Sequence, residues 1–171
     1  MTIHSDHPFL PPEGERDPLR RLRGRLPQAV TLCTAGEGRT RVGLTVSSVV
    51  VADGAPARVL LLVDEDSDLA DTLEVGGPFV VNVLGARDRA LADPFAGTAP
   101  APGGVFTLGV WRQTLFGPVL ESAAAWLGAR VAVEPRQVGW PLLVEGVVEH
   151  VEIGEDGPAL THVRGRYLDL G

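Results

Sequence analysis

The sequence predicts a mainly β protein, a closed or nearly closed antiparallel barrel with a few short helices. Three observations carry this. Short apolar runs recur at residues 28–35, 39–51, 59–63, 79–84, 140–150 and 160–170. Clusters of Gly, Asp and Pro punctuate them, the pattern of strands linked by turns. And residues 39–51, RTRVGLTVSSVVV, alternate: Val42, Leu44 and Val46 point one way, and Arg41, Gly43, Thr45 and Ser47 the other. That second face, with Ser48, is small, a glycine and hydroxyls. It admits a flat ligand close to the backbone, where hydroxyls and N–H groups donate to ligand oxygens. The plainer alternative is an ordinary half-exposed strand with a Ser-Ser bulge.

At 171 residues the chain reads as a mobile N-terminal arm, residues 1–17, followed by one domain over residues 18–171. A formal net charge of -7 argues against a nucleic-acid binder, which needs a basic patch for phosphates, and against adhesion to anionic membrane. The single cysteine, Cys33, lies in the apolar run AVTLCTA and reads as a small buried hydrophobe. There is no basic-then-apolar leader, and no apolar run nears the roughly 20 residues of a spanning helix. The expected location is the cytoplasm.

In chain order, the arm carries His4 and His7 with no periodicity. A short helix is expected from Pro18, with Leu19, Leu22 and Leu26 as a stripe, Arg20, Arg21, Arg23 and Arg25 solvated, and Pro27 as its stop. Residues 28–35 form the first strand, and Gly36-Glu-Gly38 turns it into a hairpin with residues 41–51. After a turn at residues 53–56, residues 59–63 are continuously apolar, which predicts a strand covered on both faces. Asp64-Glu-Asp-Ser-Asp68 opens a helix capped by Asp66 or Ser67, with Leu69, Leu73 and Val75 at helical spacing. A phosphate competes for that same junction, and its four acids favour the cap. Gly76-Gly-Pro78 breaks the chain before a buried strand, residues 79–84. Asn82 within it either satisfies backbone groups or contacts a ligand. Residues 88–95 read as a short helix, and residues 97–104 as a flexible loop or lid. Phe106, Trp111 and Phe116 follow without clear period, and residues 119–134 become a strand at their end. Residues 140–150 are a long strand that Gly146 bends, and residues 154–157 a hairpin turn. Residues 160–170 are the last strand, with His162, Arg164 and Arg166 on one face.

No metal-ligand spacing, GxSxG, P-loop or GxGxxG occurs, and no acid–base pair stands out. Such a chain is either a binding module or an enzyme whose cofactor performs the chemistry.

Seven segments, in order, resemble the flavin reductase-like, FMN-binding split-barrel family. They are Gly43-Leu-Thr-Val-Ser-Ser48, the VLLLVD strand at residues 59–64, Phe79-Val-Val-Asn-Val-Leu84, Leu91-Ala92 with Phe95-Ala-Gly97, Gly117-Pro-Val-Leu120, Ala123-Ala-Ala-Trp-Leu127 and Arg164-Gly-Arg-Tyr167. The resemblance implies an antiparallel, Greek-key-like FMN-binding split barrel and a homodimer with FMN or FAD at the subunit interface. It also implies NAD(P)H as co-substrate and a partner monooxygenase that receives reduced flavin. It places Gly43, Leu44, Thr45, Val46, Ser47 and Ser48 beside the flavin, with Asp64, Ser67, Asn82, Val83, Leu84 and Phe95 lining the site and His162 and Arg166 near it. No metal and no side-chain catalytic residue is implied. Three departures stand out. Ser67 is the only hydroxyl in the DEDSD loop, Pro94 stands where a basic residue often precedes the phenylalanine, and Gly139-Trp140 replaces a Gly-Asp-His. They keep a second reading open, a diverged split-barrel module that holds flavin or another flat ligand without turnover.

Overall fold

The computed structural model describes residues 17–171. The expected arm, with His4 and His7, lies outside the described residues except for Asp17, which precedes the first helix without making a side-chain cap. Helix α1 (Pro18–Gly24) is followed by β1 (Gln28–Ala29), β2 (Thr31–Ala35), β3 (Val42–Val46), β4 (Val49–Ala52) and β5 (Arg58–Val63). Then come α2 (Asp68–Thr72), β6 (Pro78–Val83) and α3 (Arg89–Phe95). The chain ends with β7 (Trp111–Gln113), β8 (Pro118–Leu120), β9 (Ala125–Val131), β10 (Arg136–Gln137), β11 (Leu142–Ile153), β12 (Ala159–Val163) and β13 (Arg166–Leu170).

The main sheet runs β3-β2-β6-β9-β11-β5-β4, antiparallel throughout, with β10 paired to β11. Its two edge strands, β3 and β4, are consecutive in the chain and separated only by Ser47-Ser48. A two-residue connection spans at most about 11 Å, so the sheet must curl until its edges approach. That closure makes the barrel. Its interior holds Cys33, Val46, Leu61, Val63, Phe79, Val81, Leu127 and Val144, and α2 plugs one end with Leu69 and Leu73. Gly146 clears space for this core: a Cβ there would stand 2.6 Å from Phe79 Cζ. Outside the barrel, α3, the 105–107 turn and the start of β7 cover β2 and β3 through Leu91, Ala92, Phe95, Phe106 and Trp111. A separate sheet, β1-β12-β13, closes this layer.

The run at residues 28–35 is two strands. β1 pairs with β12, and β2 pairs with β3 and β6. The run at residues 39–51 is also two, because Ser47-Ser48 carries the chain from one sheet edge to the other. Strand β5 is covered on one face only: Val59, Leu61 and Val63 are buried, while Leu62 is 36% exposed. Val75 lies beyond α2 and is exposed. The turn at residues 154–157 does not make a hairpin, because β12 leaves the barrel for the other sheet. Residues 160–170 are a hairpin of β12 and β13. Arg164 (φ 50°) and Gly165 (φ 75°) supply its two left-handed turn positions. An Arg-Gly turn lacks the usual Asn-Gly signature, so the reversal was invisible in the sequence.

Candidate functional site

The register gathers most of the predicted segments at one rim of the barrel. Thr31 of β2 stands opposite Val46 on one side and Val83 on the other. The chain leaves β3 at Ser47 and Ser48 at this level. The Ser48 carbonyl accepts from the Leu62 N–H at 3.1 Å, which sets the Ser-Ser step beside the end of β5 and the start of the 64–67 loop. Residues 46–48 adjoin the 64–67 loop where the sheet edges approach, and Val83 lies at the same rim two strands in, across β2 from Val46. The Ser47 hydroxyl donates to Gln28 Oε1 at 3.2 Å, and Gln28 pairs across the strands with His162. So β1 and β12 bring His162 to the same rim.

His162 is the electrostatically distinctive group there. Its Nε2 is buried with no hydrogen-bond partner among the described residues. Burial holds its pKa below the ordinary histidine value, against the opposite pull of the Asp93 carboxylate. The Tyr167 ring meets it edge-on, centroids 5.3 Å apart. The Tyr167 hydroxyl donates to Asp93 Oδ1 at 2.9 Å. Burial first, and then this bond to a carboxylate, push the phenol pKa up. The Arg89 guanidinium lies over the same ring at 5.7 Å. Gln28, Asp93 and Tyr167 were not among the residues expected from sequence. The pairing of Gln28 with His162, and of His162 with Tyr167, exists only once the final hairpin has formed.

Several expected residues are occupied elsewhere. The small face of β3 is covered. The Thr45 hydroxyl donates to the Ala92 carbonyl at 2.6 Å. Gly43 lies under aromatic rings, and a Cβ there would stand 2.6 Å from Phe95 Cε1 and 3.3 Å from Phe106 Cζ. The flat surface expected there thus receives the chain's own phenylalanines. Leu44 packs against the barrel core, and Leu84 is fully buried. The Asn82 amide is fully engaged: Nδ2 donates to the Leu32 carbonyl at 3.1 Å and to Thr34 Oγ1 at 3.2 Å, and Oδ1 accepts from the Leu120 N–H at 2.9 Å. Arg166 is exposed, and it stands opposite Val163, whereas His162 stands opposite Tyr167. The hairpin thus separates two residues that one continuous strand would have put together.

The 64–67 loop is built as a helix cap. Ser67 Oγ accepts from the Ala70 N–H at 3.2 Å and donates to the Asp64 carbonyl at 2.7 Å. The Asp64 carboxylate accepts from the Asp66 N–H at 3.1 Å. With those donors turned inward and four acids around them, the loop does not fit a phosphate dianion. The rim beside it fits the neutral part of a flavin. Its polar groups are the Ser48 hydroxyl, the backbone of the Ser47-Ser48 step, the Ser47 oxygen whose proton goes to Gln28, and the buried, orphaned His162 Nε2.

Comparison with known proteins agrees with this architecture. The model of the family described as "flavin reductase like domain" matches residues 23–171. The NADPH-flavin oxidoreductase of Streptomyces viridifaciens is 32% identical over 166 residues, covering 89% of this chain and 81% of that protein. The 4-hydroxyphenylacetate 3-monooxygenase reductase component of Pseudomonas aeruginosa is 28% identical over 152 residues, covering 88% and 89%. The crystallised NADH:FAD oxidoreductase SgcE6 of Streptomyces globisporus superposes with a TM-score of 0.80 at 25% identity, over 95% of this chain and 96% of its own. Sequence segments, barrel topology and relatives converge, and the chain belongs to the flavin reductase-like domain family.

Proposed function

We propose that this protein is an NAD(P)H-dependent flavin reductase that binds FMN or FAD at the barrel rim and supplies reduced flavin to a partner monooxygenase. The observation that supports the reading is that residues 46–48, Val83 and, through Gln28, His162 all stand at one rim of the barrel. Bound there, a flavin supplies the hydride acceptor for the nicotinamide. The protein's task is to hold and orient it. The Ser48 hydroxyl donates to a ring or ribityl oxygen, and the Ser47 oxygen, its proton held by Gln28, accepts. His162, held neutral by burial, offers one tautomeric nitrogen as donor or acceptor. No side chain is required to move a proton. Reductase components among the relatives support a monooxygenase partner, and the expected working form is a homodimer in the cytoplasm.

The acid-capped 64–67 loop favours one competing reading, a module that holds flavin without turning it over. Steady-state NAD(P)H oxidation with added FMN or FAD separates the two. The reductase reading predicts saturable turnover in both substrates. A rate no higher than that of free flavin alone leaves only the binding module.

A further inference from the structure

The 64–67 loop does not fit a phosphate, yet the natural flavins and nicotinamides carry one or more. The charge distribution near the rim offers another place. The 15 basic residues of the chain are all arginines. Four of them are neutralised locally: Arg58, Arg87, Arg112 and Arg130 each face a glutamate, at 3.6, 3.4, 2.8 and 3.3 Å. Arg20, Arg21, Arg23 and Arg25 of α1 and its end, with Arg164 and Arg166 of the final hairpin, behave differently. All six are exposed, and among the described residues none forms an ion pair or a side-chain hydrogen bond. The two segments are fastened together, because the Arg164 N–H donates to the Gly24 carbonyl at 2.6 Å. They also flank the rim. Gly24 lies four residues before Gln28, which accepts from Ser47, and Arg164 lies two residues after His162. Within a protein of net charge -7, six exposed guanidinium groups without a charged partner among the described residues thus lie on two fastened segments that lead into β1 and out of β12, while the acidic loop stands beside the Ser-Ser step.

We propose that the phosphate tail of the bound nucleotide is held by this arginine cluster, formed by α1 and the 164–166 turn, and not by the β5–α2 loop. The proposal rests on the rim being the flavin site. Guanidinium pairs with phosphate by two parallel N–H···O bonds, and clustered like charges attract a dianion over the roughly 8 Å reach of an unscreened field at physiological salt. Two ligands bring that chemistry, the monophosphate of FMN and the pyrophosphate of a dinucleotide.

Equilibrium titration tests this with two ligand pairs, FMN against riboflavin and NAD⁺ against nicotinamide riboside. Each pair is measured on wild type, on Arg20→Gln/Arg21→Gln/Arg23→Gln/Arg25→Gln and on Arg164→Gln/Arg166→Gln. Because α1 buries nothing, its neutralisation leaves the fold in place, which circular dichroism verifies. The phosphate-bearing member of at least one pair should lose tenfold or more in affinity in both variants. Its phosphate-free counterpart, blind to the cluster, is the reference, and added salt should weaken only the phosphate-bearing ligand of wild type. Loss confined to FMN identifies the flavin phosphate, and loss confined to NAD⁺ the dinucleotide. Unchanged ratios in both pairs overturn the proposal, as does failure of both FMN and NAD⁺ to bind wild type. These readouts do not depend on turnover. FMN binding with no NAD(P)H oxidation sinks the reductase reading and leaves the cluster standing.

Discussion

Asn82 shows how one residue type serves two readings. In the sequence it is a polar break in FVVNVL and a candidate flavin contact. In the fold its amide donates to Leu32 and Thr34 and accepts from Leu120, so it locks β6 to β2 and β8. Asn82→Ala leaves the buried Leu120 N–H unpaired and should cost about 1–3 kcal/mol by denaturant unfolding. A loss below about 1 kcal/mol contradicts the locking role. His162 carries a pH signature of known sign. Its folded pKa lies below the ordinary value of 6.5, so the unfolded chain takes up the proton first. Its contribution to stability is complete above about pH 6.5 and declines as the pH falls through that value toward the folded pKa. Melting temperatures measured from about pH 7 to about pH 5 should fall more steeply for wild type than for His162→Gln. Parallel curves would show that His162 is not the group responsible. The opposition of His162 to Tyr167 and Gln28 was illegible in sequence, because it depends on strand pairing between segments more than 130 positions apart and on an Arg-Gly turn.

At the scale of elements, what periodicity could report was reported well. The 36–38 hairpin, the buried strand before Leu84, the Ser67 cap and the short α3 all follow from local residue chemistry. What it missed were the places where one run changes partners. Val30 separates β1 from β2 without any break in apolar character, and Ser47-Ser48, which separates β3 from β4, reads in sequence as a bulge within one strand. Only the sheet order reveals those changes. The same limit applies to the small face of β3, because alternation identifies a small face but not what covers it. Gly146 illustrates a different use of glycine. It sits on the inward side of β11, opposite Val59 and Val131, and makes room for the Phe79 ring. The strand's irregularity comes two residues later, where its pairing with β9 shifts between Val148 and His150. Gly146→Ala should destabilise the barrel by about 1–3 kcal/mol through overpacking. Phe79→Leu in that background should recover part of the loss, a positive coupling in a double-mutant cycle. Strict additivity would mean that the two positions do not compete for space.

For the whole molecule, closure of the sheet both makes the barrel and builds the rim. The single chain leaves apolar side chains uncovered on β4 and β11, among them Val51, Val151 and Ile153, with Trp140 just before β11 at 86% exposure. A homodimer that buries such positions predicts a mass twice 18.1 kDa by light scattering. A monomer at working concentration would contradict it. The central claim is that flavin binds at the rim that carries residues 46–48, Val83 and His162. Backbone hydrogen exchange with and without saturating FMN tests it most directly. Slowed exchange is predicted at Ser47, Ser48, Val83 and residues 161–163, with no change in the β7–β8 hairpin. Protection confined to that hairpin, or to any region away from the rim, would contradict the account.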